Sequence, residues 1–186
     1  MSFEQTLVEH CAPVLAGIKP ANLFRYSPED PKQFALEYRV WKERFALRGL
    51  RLTVLKEWES GYRLIYLYRA ADLETALSQP GHQAFLCTLG YPRTGDLSAC
   101  LQRLSRRLYI EKEFPHEIGV FLGYPLEDVK GFIRHRGRNC TCSGCWKAYG
   151  DLETAWRTFT RLRKCTETYR KRYASGIPIT QLVVAA

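Results

Sequence analysis

The sequence lacks any run of about 18 apolar residues, the length a helix needs to cross a bilayer, so no membrane insertion is expected. It also lacks a basic segment followed by an apolar stretch at its start. MSFEQTLVEHC carries acidic residues there, which argues against a secretory leader and makes the cytoplasm the expected compartment. Glycine-rich phosphate loops are missing too: LGYPLEDVKG matches neither the P-loop nor the G-x-G-x-x-G pattern, so nucleotide binding by those routes has no support. No low-complexity linker divides the chain and no recognised nucleic-acid motif occurs. The tripeptide GYP appears at Gly90 and again at Gly123, too short a match to establish a repeat.

What is present suits a packed core. A chain of 186 residues fits one domain, 1–186, because a second independent core would leave each half near the lower limit of useful burial. Hydrophobic residues make up 46% and aromatics 13%, enough to fill that core. Charge is uneven: through Cys100 there are 12 basic and 11 acidic residues, and from Leu101 onward 16 basic and 8 acidic. Nearly all of the net +9 therefore lies in the second half, which favours anionic partners there. The seven cysteines form an odd set in a chain expected in a reducing compartment, so a disulfide framework is not expected.

Asp30-Pro31-Lys32-Gln33 reads as a helix start, with Asp30 as N-cap, Pro31 at the first position and Gln33 closing a capping box. Phe34, Tyr38, Trp41 and Phe45 follow at helical spacing up to Gly49. Alternation through Leu50, Leu52 and Val54, a turn near Ser60-Gly61, and alternation again through Tyr62, Leu64, Tyr66 and Tyr68 predict a β-hairpin. Leu97, Leu101, Leu104 and Leu108 share one helical face with Cys100. EIGVFLG then reads as a strand, LEDVKGFIRH as a helix and WKAYG as a second strand: a β-α-β unit with parallel strands. A last helix starts at Asp151 and carries an apolar stripe to Tyr173, and IPITQLVV either adds an edge strand or packs across the core. The expected fold is α/β, one domain, with a small mixed sheet made of the hairpin and the β-α-β unit and packed by several helices.

HCAPVLAGIKPANLF (His10 to Phe24), FPHEIGVFLGYPLEDVKGFI (Phe114 to Ile133), WKAYGD (Trp146 to Asp151) and KCTETY (Lys164 to Tyr169) together resemble a bacterial family of unknown function, common in clostridia and their relatives. The likeness covers nearly the whole chain. It implies an intact cytoplasmic protein and carries no activity. In that family the position of Cys145 is usually Tyr, in a G-Y-W-K order, and the positions of Cys140 and Cys142 vary, so the resemblance does not imply a thiol function.

Three sets of residues carry candidate chemistry. Cys140, Cys142 and Cys145 are close enough in sequence to share zinc or an iron–sulfur cluster, with Cys165 or His135 as a fourth ligand, although the spacing matches neither class closely. Arg134, Arg136 and Arg138 nearby would lower the thiol pKa values. Cys11 and His116 would form a thiolate–imidazolium pair if they shared a cleft, with Glu117 orienting the ring. Against this, neighbouring side chains on a strand face opposite ways, so His116 and Glu117 serve one site only if the chain bends at Pro115. The third set is for an anionic small molecule or cofactor: Lys19, Asn22, Tyr124, Lys147 and Tyr149, polar groups set among apolar ones. Tyr124, Tyr149 and Asp151 would stand at the carboxyl ends of the expected parallel strands, where α/β sheets place ligands.

Arginines on the later helices, with the tyrosines and Trp146 available for stacking, leave a nucleic-acid-binding class open. A solvated helix face is the commoner meaning of such residues. The leading expectation is a cytoplasmic enzyme or binding protein for an anionic small molecule, and the alternative is a metal-handling or redox protein using the cysteine loop. Nothing in the sequence sets an oligomeric state.

Overall fold

The computed structural model describes residues 2–93, 95–111 and 113–185. In chain order its elements are α1 (Phe3–Leu15), β1 (Ala21–Tyr26), α2 (Pro31–Ala46), β2 (Leu50–Glu57), β3 (Arg63–Arg69), α3 (Ala70–Ser78), α4 (Pro80–Thr88) and α5 (Leu97–Ile110). There follow α6 (Ile118–Phe121), α7 (Leu126–His135), β4 (Cys142–Ser143), β5 (Lys147–Ala148), α8 (Leu152–Ala174) and α9 (Ile179–Leu182). The class is mixed α/β, as expected. Among the described residues no helix is long and apolar enough to cross a membrane. The chain divides into two compact units, one of Met1–Asp72 with Lys164–Ala186 and one of Leu73–Arg163.

In the first unit α2 starts at the N-cap the sequence announces. Asp30 Oδ1 accepts from Lys32 N at 2.7 Å and from Gln33 N at 3.2 Å, closing the start of α2. The Gln33 side chain does not complete a capping box. It donates instead to Glu37 Oε1 at 2.8 Å, one turn along the same helix. Asp30→Ala is expected to cost about 1 kcal/mol in urea denaturation at neutral pH.

Phe34, Trp41 and Phe45 of α2 and Phe3, Leu7, Cys11 and Leu15 of α1 form one core cluster with Leu50, Leu52, Ile65 and Leu67 of the sheet. The expected hairpin is β2 and β3, antiparallel, with a bulge between Val54 and Lys56. β1 pairs on the other side of β3, also antiparallel, giving the order β1-β3-β2. As the central strand, β3 buries four consecutive residues, Leu64 to Leu67. At its end Arg69, 3% exposed, donates to the Val14 and Val184 carbonyls at 3.1 Å and pairs with Asp72 at 3.0 Å. Ile179 and Val183 of the C-terminal segment join the core, and Val184 N donates to Leu15 O at 2.9 Å, so IPITQLVV packs across this unit.

The second unit departs from the expected β-α-β. Ile118–Phe121 is a single helical turn, with Val120 N donating to Glu117 O at 2.9 Å and Leu122 N to Ile118 O at 3.0 Å. All of IGVFL is buried, and a short apolar run enclosed on every side has no period that separates strand from helix. WKAYG contributes only Lys147–Ala148, paired antiparallel with Cys142–Ser143. No parallel pair occurs among the described residues, so the rule that ligands favour the ends of parallel strands does not apply. α5 buries Cys100, Leu101, Leu104 and Leu108 as its spacing predicts, and Asp151 caps α8 by accepting from Thr154 N at 2.8 Å.

Candidate functional site

The site is built where α7 meets the β4–β5 hairpin in the second unit. Asp128, in the first turn of α7 and 4% exposed, holds the two together. Its Oδ2 accepts the Trp146 indole N–H at 2.7 Å, and its Oδ1 accepts the backbone N–H of Tyr149 at 2.6 Å and of Gly150 at 3.0 Å. Three donors on one carboxylate offset the cost of burying its charge. Two glycines let the pieces close up. At Gly131 a Cβ would come within 2.5 Å of the Tyr149 ring, and at Gly144 it would overlap the Phe159 ring, so any side chain at either position would push the hairpin away.

Trp146, fixed by Asp128, stacks on Tyr124 with centroids 4.6 Å apart and meets Phe159 edge-on at 4.6 Å. A second aromatic group comes from the chain before α6: His116 lies 4.8 Å from the Phe132 ring and 5.9 Å from the Phe114 ring. Tyr124, Trp146, His116, Phe114 and Phe132 border a cavity of about 360 Å³, whose wall also includes Ile118, Leu122, Val129, Cys145 and Lys147. Lys147 donates to the Gly137 carbonyl at 2.7 Å, which fixes its ammonium beside the end of α7. Burial, and secondarily the neighbouring Cys145, pushes the Tyr124 phenol up to about 12, so it stays a neutral hydroxyl throughout the physiological range.

Four of the expected site residues thus meet at one cavity: His116, Tyr124, Lys147 and Cys145. Tyr149 does not line it. Its hydroxyl donates to Arg138 O at 2.9 Å and its ring stacks on His135, so it braces the loop behind. Glu117, 3% exposed, turns away from His116. It accepts from Tyr91 Oη at 2.8 Å and pairs with Arg107 Nε at 2.6 Å, a buried structural network rather than an orienting group for the imidazole.

Cys11, Lys19 and Asn22 lie in the first unit. Cys11 is 0% exposed within the core, and burial pushes its thiol well above the ordinary range, so it is a core side chain and not a cleft-facing nucleophile. Lys19 Nζ donates to Asn22 Oδ1 at 2.6 Å, and Asn22 Nδ2 donates to the His10 carbonyl, which ties α1 to β1. Burial lowers the His10 pKa, opposed by Glu9 and reinforced by Arg170, while its ring stacks on Phe24 at 5.3 Å.

The cysteine loop is a hairpin. Thr141 N donates to Ala148 O at 2.8 Å and Gly144 N to Trp146 O at 2.9 Å, closing the turn on itself. Cys140 precedes β4 and lies near enough to Cys142 to act on its charge, whereas Cys145 falls in the turn between the strands. Cys142 packs beside the small cluster of Ala148, Ala155 and Phe159, while Cys145, in the turn, is exposed at the cavity. Among the described residues no group of three or more potential ligands is placed to hold a metal ion. The expected lowering of thiol pKa by the nearby arginines is reversed at Cys142, which is raised by partial desolvation and then by the Asp128 and Cys140 charges. Native-state alkylation with iodoacetamide, read by peptide mass mapping, is expected to modify exposed Cys145 ahead of the buried Cys11 and Cys100.

Asp128, Phe114 and Phe132 complete the site and are not among the residues the sequence singled out. Phe114 and Phe132 bracket the FPHEIG–GFI block, but nothing in their spacing brings them together, since the turn at α6 does so. A family model, Protein of unknown function (DUF3793), matches residues 7–183. No curated protein and no solved structure matches the chain.

Proposed function

The chain belongs to the DUF3793 family, whose members are of unknown function, and from that premise we propose that it binds a small anionic molecule in the cavity of its second unit. The observation that carries this reading is an anchored ammonium, Lys147, the one lysine or arginine among the described residues of a mostly aromatic and apolar wall, at a cavity of about 360 Å³ whose bordering carboxylate, Asp128, is committed to three donors. Ligand pockets typically combine apolar walls with a few placed polar groups, and His116, Tyr124 and Lys147 supply those here. The seven thiols are free, which suits a protein working in a bacterial cytoplasm.

The exposed Cys145 thiol reports on occupancy. A panel of small carboxylates, sulfonates and phosphates is offered at millimolar concentration while iodoacetamide modifies Cys145. Saturable protection by at least one anion, weakened at least tenfold by Lys147→Gln, is the expected result. If no anion slows the modification, or if Lys147→Gln leaves the protection unchanged, the reading is abandoned.

A further inference from the structure

We infer that the anion is an aromatic carboxylate whose ring lies against the Tyr124–Trp146 pair while its carboxylate meets Lys147, a step that rests on the cavity being an anion site at all. The aromatic part follows from the walls. Tyr124 with Trp146, and His116 with Phe114 and Phe132, present ring surface in two groups drawn from four stretches of chain. A planar π-system gains offset or edge-on contacts with such rings beyond the area it buries, worth roughly tenfold in affinity over a saturated ring of the same shape. The cavity, about 360 Å³, is near the small end of ligand pockets and has room for one or two fused rings with a single substituent.

The carboxylate part follows from the charge at the cavity. Lys147 spends one of its three N–H groups on Gly137 O and has the other two for a ligand, a match for one carboxylate. A phosphate dianion is ordinarily met by arginine forks or by the open N-terminus of a helix. Among the described residues no arginine lines this cavity, and the first turn of α7 carries Glu127 and Asp128. Asp128 itself borders the cavity, with its oxygens committed to Trp146, Tyr149 and Gly150. A second negative charge on the ligand would meet that carboxylate with no second lysine or arginine among the described lining residues to offset it.

The test is a heteronuclear NMR titration with four probes of similar size: 2-naphthoate, the saturated decalin-2-carboxylate, 2-naphthyl phosphate and 2-naphthylmethylammonium. The expected result is saturable 2-naphthoate binding that shifts the Trp146 indole N–H and the backbone signals of His116 and Lys147. Binding should be roughly tenfold weaker for the saturated acid, weaker for the phosphate and absent for the amine. Lys147→Gln should weaken 2-naphthoate at least tenfold and Lys147→Arg should restore most of it. Equal or tighter binding of the saturated acid or of the phosphate at these same signals overturns the aromatic-carboxylate assignment and leaves the anion site standing. If no anion binds, if the amine binds more tightly than every anion, or if the shifts fall elsewhere, both the assignment and the anion site fall.

Discussion

Asp128→Ala is expected to lower the stability of the second unit by about 3–5 kcal/mol and to abolish binding at the cavity. The side chain is 4% exposed and accepts from the Trp146 indole and from the amides of Tyr149 and Gly150, all at 3.0 Å or less. Hydrogen bonds to a charged acceptor contribute about 1.5–3 kcal/mol each, and removing the carboxylate also strands three part-buried donors. The loss spreads to the site because Trp146 is a wall of the cavity and takes its position from Asp128. Asp128→Asn keeps the volume and one acceptor oxygen, so an intermediate loss is expected. Glu127→Ala, at the exposed neighbouring position, should stay within about 0.5 kcal/mol of wild type. Urea unfolding with the denaturant slope compared across variants measures all three. A loss under about 1 kcal/mol for Asp128→Ala would mean that the hairpin is held by the Phe159 and Tyr149 contacts instead.

Elements whose signal is local were legible before the structure. Asp30 and Asp151 cap helices through their own neighbouring amides, and the spacing of Leu101, Leu104 and Leu108 names the buried face of α5. The β2–β3 hairpin was legible because its two alternating runs sit either side of one turn. β1 was not: Ala21 to Tyr26 becomes a strand only because β3 offers it an edge, a partner more than 35 residues away by the register Ala21↔Tyr68. IGVFL failed for a different reason, since complete burial erases the contrast between faces on which periodicity depends.

The same division runs through the site. His116, Tyr124 and Lys147 stand out in the sequence as polar groups among apolar ones, and the fold brings them to one cavity. Asp128 carries no such mark. An acidic residue in the first turn of a helix is ordinary, and its role appears only when Trp146 and Tyr149 arrive from the hairpin. The cysteines misled in the opposite direction. Their spacing suggests shared ligation, but the turn of the hairpin carries Cys145 to the cavity while Cys142 packs beside Ala148 and Phe159.

Glu117→Ala is expected to cost about 3–5 kcal/mol while leaving the affinity of the folded protein for its ligand unchanged. Glu117 is 3% exposed and is shared by the Tyr91 hydroxyl at 2.8 Å and the Arg107 guanidinium at 2.6 Å, both from other elements of the second unit. Truncation leaves the mostly buried Arg107 with only Glu111 at 3.0 Å and the Leu89 carbonyl as partners, and a buried hydroxyl facing a void, whereas Glu117→Leu, Arg107→Met and Tyr91→Phe together should recover much of the loss. A catalytic or ligand-orienting Glu117 would behave otherwise, with binding failing in the triple variant even as stability returned. The network also carries a pH signature. Burial, then the Glu117 charge and the hydrogen bond to it, push the Tyr91 phenol well above its ordinary value. An acid whose folded pKa is raised contributes stability that is complete below the unfolded value and lost as pH rises beyond it. The advantage of wild type over Tyr91→Phe should therefore hold at neutral pH and shrink above about pH 10, where the unfolded phenol ionises. Denaturation of both proteins between neutral and alkaline pH reads this directly, and a gap that widens with pH would show that Tyr91 ionises more easily in the folded protein than in the unfolded chain.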